Sequence, residues 1–494
     1  MSKNKRIEIV FNANPNFIVG GLLISNFLIR LFIYFNTNLF SFSDYAIYLN
    51  GIERIAGGEK QYLLIGNFLF AISYLGYFAK NILGSLDYFF VYNCLLGTLT
   101  SLLIYFMVVK ITGVPLAGII TIIIHTLYTE FIVFSSVFYT PVQMIFLLSL
   151  FLLFIYLYLD SNRRFKTVIF LFLTILVFLM TFIFKPELKY LTWFLLFPGL
   201  FFLKSNKSFA KKILSLSFLL LTSYYLLSYS NLITHPKDNV ISNAFVFFGH
   251  TDYGGDGGEG SFVYPDNKAR YESALAEYCK SNNIRRPTTQ NYNEFHREEI
   301  KKFITTHPCK WVSLQFTKFF RTFGVVPETT SFKILYTGLF KGNLWLTSIV
   351  VVAPVALIIL LFIMFFNLSA LKQLLGHQVS SRLMPHASRP PSDNRGFLSV
   401  YLLLFVYYII ATIFYGQYQE RYRLPMMVVF IIPTLGFFIA SFNKDQFFKR
   451  STLTIKSVVI VLFLAIWTFQ TKKAIGNKQR FENAIESLEI KSKK

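Results

Sequence analysis

Long apolar runs separated by short polar breaks set the pattern of this 494-residue chain. A run of about 20 apolar residues crosses a hydrocarbon core as a helix. Eleven such spans are predicted, within a range of 10–13: 17–35, 86–109, 114–129, 140–159, 167–184, 190–203, 213–230, 344–366, 397–415, 424–441 and 457–470. The runs are continuous rather than alternating, which argues against strands. Residues 62–79 are also apolar but contain Gly66, Asn67 and Gly76. They are read as interfacial or partly embedded, because a full span there would invert every later loop. The expected fold is an all-α polytopic membrane protein with a small, mostly helical cap on its outer face.

The polar positions divide the chain into four parts. Residues 1–230 make an N-terminal transmembrane region whose first outer loop is 36–85, and 231–343 is the one sizeable polar part, read as the extracytoplasmic cap. Residues 344–470 form a second transmembrane region and 471–494 a basic tail. Helices are predicted in the cap at about 266–282 and 292–305, and again after His307-Pro308 at 309–323. This last helix carries Trp311, Leu314, Phe316, Phe319, Phe320 and Phe323 with Lys310, Lys318 and Arg321, a mixture suited to the membrane interface. The Ser-, His-, Pro- and Arg-containing stretch 367–396 reads as a cytoplasmic linker.

Composition agrees with this picture: 54% of residues are hydrophobic and 15% charged. The net charge of +23 invites a nucleic-acid reading, but its distribution excludes it. Lys and Arg gather in the short loops 160–166, 204–212, 367–396 and 442–456, as the positive-inside rule requires of cytoplasmic loops. The N-terminus is then inside, and the basic tail falls outside, against the rule. The first span lacks a small-residue cleavage site and is expected to be retained, so the chain reads as an integral membrane protein. Cys94 lies in an apolar run. Cys279 and Cys309 lie in the cap, where pairing is left open.

The candidate chemistry begins at Asp44, just past the first span. The stretch 43–58 has helical spacing, so Asp44 either caps a helix or serves as a general base that takes a proton from an attacking hydroxyl. Glu53 and Glu59 read as solvated charges. Arg421 and Arg423 stand at the outer mouth of a span, where they either snorkel to headgroups or hold an anion. Asp252 precedes, and Asp256 and Glu259 lie within, a glycine-rich run at 254–260 that lacks the Lys-Ser/Thr ending of a phosphate loop and the spacing of a calcium loop. It reads as a loop closing over the acceptor. The His residues show no zinc spacing, and His125 reads as a packed group.

Arg30, Asp44, Tyr48, Gly57-Gly58, His307-Pro308 and Glu420-Arg421-Tyr422-Arg423-Leu424-Pro425 follow one another in an order that resembles the GT-C superfamily of polyprenyl-phosphate-sugar-dependent glycosyltransferases, near the protein mannosyltransferases and aminoarabinose transferases (glycosyltransferase family 39 type). The resemblance implies an inverting transfer of a sugar from a polyprenyl-phosphate donor to a hydroxyl of a glycan, lipid or protein at the extracytoplasmic face. It makes Asp44 the catalytic base, with Glu130 as a second acid or else a simple interfacial carboxylate. Asp44 is followed by Tyr45, not by a second acid, which departs from members with an adjacent acidic pair. The donor phosphate falls to Arg421, Arg423, Lys80, Lys185, Lys318 or Arg321, and the acceptor to Tyr48, Asp252, Asp256 and Glu259. The superfamily holds metal-requiring and metal-free members, so a divalent cation is admitted but not required. The rival classes are an O-antigen polymerase or ligase and a lipid or oligosaccharide flippase.

Overall fold

The computed structural model describes residues 15–37, 39–41, 44–58, 68–184, 191–229, 246–254, 265–323, 330–365, 394–413, 420–440, 450–476 and 489–491. In chain order the first helices are α1 (Pro15–Phe35), α2 (Asp44–Ala56), α3 (Phe68–Tyr77), α4 (Asp87–Thr112), α5 (Pro115–Leu127), α6 (Thr129–Val133), α7 (Pro141–Asp160), α8 (Arg164–Phe184), α9 (Leu191–Phe201) and α10 (Lys207–Tyr229). The polar segment contributes α11 (Pro265–Ser281), α12 (Thr289–Thr306) and α13 (Pro308–Phe323), followed by α14 (Thr330–Thr337). The chain then forms α15 (Leu344–Phe365), α16 (Asn394–Ile413) and α17, in which Glu420–Pro425 widens through the π-helical turn Met426–Ile431 into Ile432–Ala440. Helix α18 (Arg450–Gly476) is last.

Among the described residues, seven helices are long and apolar enough to span a membrane: α1, α4, α7, α8, α10, α15 and α17. They overlap seven of the predicted runs. The predicted run 114–129 is the first limb of a broken pair, α5 and α6 with its extension to Ser136, bent by 66°. The runs 190–203, 397–415 and 457–470 coincide with shorter apolar helices, Leu191–Phe201, Gly396–Ala411 and Leu453–Ala465.

Local sequence explains the helix boundaries around the bend. Gly113 ends α4 at φ 70°, a left-handed conformation that glycine adopts freely, and its N–H bonds the Val109 carbonyl at 2.8 Å. Pro115 then starts α5, where a missing N–H is harmless. Pro141 does the same for α7. Helices α7 and α17 form the centre of the bundle, with 72% and 83% of their apolar windows buried, against 22–28% for α1, α8, α10 and α15. The outer helices leave Phe32, Phe172 and Leu226 exposed, as lipid-facing sides do. Close approach at the centre depends on Gly436: a β-carbon there would collide with Thr121 Oγ1 and the Ala117 carbonyl on α5.

The π-helical turn of α17 turns its carbonyls toward side chains of other helices. Pro433 has no N–H to offer the Val429 carbonyl four residues earlier. Tyr401 on α16 donates its hydroxyl there instead, at 2.7 Å, and lies 3.2 Å from the Phe430 carbonyl. Tyr401→Phe is expected to lower the unfolding free energy by about 1 kcal/mol, as read by thermal unfolding in detergent.

One short ribbon interrupts the helical description. Leu39–Ser41 pairs antiparallel with Glu489–Lys491, Phe40 opposite Ile490. This places the end of the basic tail beside the first loop, the side that charge counting disfavoured. Cys279 and Cys309 are free thiols, so the pairing left open from the sequence is not formed.

Candidate functional site at the re-entrant turn

Every residue from 128 to 145 is buried. The sequence predicted a loop here between two spans, with Glu130 at the bilayer surface. Instead α5 stops at Leu127, Tyr128 takes a non-helical conformation, and the chain turns inward through α6 and a 3-10 turn, Phe134–Ser136.

Glu130 is fully buried and so is Arg423. Arg423 Nε donates to Glu130 Oε2 at 3.0 Å, and Arg423 Nη2 pairs with Oε1. Tyr128 donates its hydroxyl to the same Oε2 at 2.7 Å. Arg423 Nη1 reaches the Thr322 carbonyl near the end of α13 at 3.3 Å. Two charges removed from water require this kind of bidentate, fully bonded geometry. The expectations for these two residues are therefore corrected together: Glu130 is not an interfacial carboxylate, and Arg423 is not an open cation at the mouth of a span.

A second buried guanidinium lies beside the same segment. Arg30 on α1 donates from Nε to Asn26 Oδ1 at 2.9 Å and from Nη1 to the Phe131 carbonyl at 3.1 Å and Ser135 Oγ at 2.6 Å. It sits 4.4 Å from the Phe131 ring centroid. Its Nη2 is buried without a partner, and among the described residues no carboxylate pairs with it. Gly97 on α4 makes room for it, since a β-carbon there would collide with the guanidinium. Gly97→Ala is expected to destabilise the protein by about 1–3 kcal/mol in detergent unfolding. His125 Nε2 lies 2.9 Å from the Val428 carbonyl, which only accepts, so Nε2 carries the proton and Nδ1 accepts from Ser101 at 3.2 Å. It is a bonded packing group, as its sequence setting suggested.

Helix α2 ties Asp44 to this turn. Asp44 is its first residue; one turn on, Tyr48 is buried, edge-on to Tyr139 at 5.6 Å and to Phe138 at 6.4 Å. Tyr48 is thus an anchor for the helix and not a lining of an acceptor loop. Helix α3 packs on α2 as well, with Ser73 donating to the Tyr48 carbonyl at 2.9 Å. Of the apolar stretch 62–79, the described portion packs on α2, and 62–67 lie outside the described residues.

Helix α13 links the polar segment to the turn through one stripe, Trp311, Gln315, Lys318 and Thr322. Trp311 Nε1 donates to His250 Nδ1 at 3.1 Å. Gln315 and Lys318 both donate to the Gly249 carbonyl, at 3.3 and 2.8 Å. Thr322 receives Arg423. Lys318 therefore turns inward, while Phe316 is exposed. The stripe follows helical spacing, but its partners lie far off in sequence. Residues 247–253 are held in turn by rings of α11 and α12, with Phe247 stacked on His296 at 4.4 Å. The Tyr271 hydroxyl and His296 Nε2 share a hydrogen bond at 2.9 Å, and burial pushes the His296 pKa down to about 4.

Burial pushes the Lys318 amine down to about 7 from 10.5. Between these values the unfolded chain binds the extra proton, so stability rises with pH across that window. Below 7 the burden of the buried charge is present in full; as pH climbs the folded amine sheds its proton and the burden is relieved. Thermal melts from pH 7 to 10 are expected to show wild type gaining on Lys318→Met.

The other candidates separate. Lys80 pairs with Glu53 on the surface, and Asp252 pairs with Arg270 at 3.0 Å. The side chains of Asp44, Arg321 and Arg421, and all of Lys185, Asp256 and Glu259, lie outside the described residues. Among the described residues no three His, Cys, Asp or Glu stand close enough to hold a metal ion. Arg30, Tyr128 and Thr322 were absent from the predicted site; for Arg30 the signal was a charge inside an apolar helix, which demands a use. No family model, curated protein or solved structure matches the chain.

Proposed function

We propose that this chain is an integral membrane glycosyltransferase of the GT-C type, moving a sugar from a polyprenyl phosphate to a hydroxyl acceptor at the extracytoplasmic face of a bacterial inner membrane. In this reading about eleven spans carry the cap 231–343 on that face. One observation supports it most: both candidate acids belong to one unit, Glu130 inside the buried turn and Asp44 at the head of the helix that packs on it. Ionisable residues inside a membrane bundle mark functional sites by default.

The chemistry is a single displacement. The acceptor hydroxyl gives its proton to Asp44 as its oxygen attacks the anomeric carbon. The bond from that carbon to the phosphate oxygen breaks, its electron pair stays on the phosphate, and configuration inverts. The charge growing on the leaving phosphate calls for cations. Arg421, Arg321 and Lys185 remain for that task. Arg423 serves the site through Glu130 instead. Proteoliposomes given undecaprenyl phosphate bearing a labelled sugar are expected to release undecaprenyl phosphate and label a hydroxyl-bearing acceptor. Movement of the intact labelled lipid between leaflets, with no bond broken, would make the protein a flippase and end this reading.

A further inference from the structure

Two guanidinium groups grip one short buried helix from opposite ends. Arg423 takes both carboxylate oxygens of Glu130 near the start of α6, and Arg30 donates to the Phe131 carbonyl and to Ser135 just beyond its end. Helix α6 has five residues, too few to hold itself. The chain continues from it directly into the 3-10 turn Phe134–Ser136.

Ion pairing does not account for Arg30, because no described carboxylate meets it. An unpaired buried charge is unfavourable, so packing alone gives no reason for an arginine here. The side chain is nonetheless rigidly set. Asn26, which holds Nε, itself bonds Thr126 at 3.0 Å and Thr98 at 3.2 Å, and Gly97 closes one side. The brace therefore runs from α1, α4 and α5 into α6. We infer that Arg30 is a positioning residue: it fixes α6 so that Glu130 meets Arg423. The brace itself stands apart from the transfer reading; only its effect on turnover rests on that reading.

Double-mutant cycles on thermal unfolding in detergent test the brace without any activity. Ser135→Ala removes one Arg30 contact and changes no charge. Neither it nor Arg30 touches the Glu130 carboxylate in the structure. If Arg30 positions Glu130, the Tm loss of S135A/E130Q falls short of the sum of the single losses, and R30Q/E130Q shows the same shortfall. Additive losses in the S135A/E130Q cycle would overturn the inference. A shortfall confined to R30Q/E130Q would mean through-space attraction only, and would overturn it as well. Should R30Q fail to fold, the S135A cycle stands alone. Arg30→Lys keeps the charge but lacks the fork, and is expected to recover part of the R30Q loss. On the transfer assay, S135A is expected to lower kcat with KM for the lipid-linked sugar unchanged. Wild-type protein without transfer but with non-additive cycles would sink the transferase reading and leave the brace in place.

Discussion

Glu130→Gln is expected to lower the unfolding free energy by about 3–5 kcal/mol, the largest single loss anticipated for this protein. The substitution leaves Arg423 charged, fully buried and without its carboxylate. It also removes the charged acceptor of the Tyr128 hydroxyl. Arg423→Gln should lose a similar amount for the mirror-image reason. Replacing both partners, Glu130→Leu with Arg423→Met, is expected to recover most of the loss, because paired charges and apolar isosteres are often nearly equivalent in buried settings. Chemical or thermal unfolding in detergent micelles reads all three. A loss below about 1 kcal/mol for Glu130→Gln would place the pair in water, where exposed ion pairs have that worth. The double replacement is also expected to be inactive in transfer, which separates the stability of the pair from its use.

Asp44→Asn is expected to reduce sugar transfer by a factor of about 10²–10⁴, the usual worth of a positioned general base. Folding should survive. Asp44 opens α2, and asparagine caps a helix start about as well as aspartate does. The Tyr48, Ile52 and Ile55 contacts that dock α2 are buried and untouched by the change. Unfolding measured alongside turnover therefore discriminates the two readings of this residue. Loss of turnover with an unchanged melt marks a base. Intact turnover marks a cap, whose melt asparagine leaves nearly unchanged, and a flippase or ligase would likewise respond little.

Much of the fold was legible because its dominant signal is local. An apolar run of spanning length announces a helix wherever its partners lie, and α1, α4, α7, α8, α10, α15 and α17 sit where the runs predicted. The cap helices α11, α12 and α13 also fall within a few residues of the sequence reading, since Pro265, Thr288 and Pro308 mark their starts. The site was less legible. Glu130 and Arg423 stand 293 residues apart, and nothing in either local stretch announces the other. Opposite charges within apolar surroundings must find partners, and that argument, applied to both at once, would have paired them. Lys318 misled for a similar reason. On a helix of mixed aromatic and basic residues it reads as a candidate cation for the donor phosphate, and only the Gly249 carbonyl, 69 residues earlier, explains its inward turn. The tail strand is a third instance: short, charged and paired with residues near the other end of the chain.

Sidedness decides the rest. Asn50 is exposed on α2, two turns from Asp44, and can carry a reporter in a background with Cys94, Cys279 and Cys309 replaced by serine. In intact cells, Asn50→Cys is expected to react with a membrane-impermeant maleimide added from outside. Reaction only after the membrane is opened would put Asp44 on the cytosolic side, away from any outward-facing lipid-linked sugar, and would contradict the account.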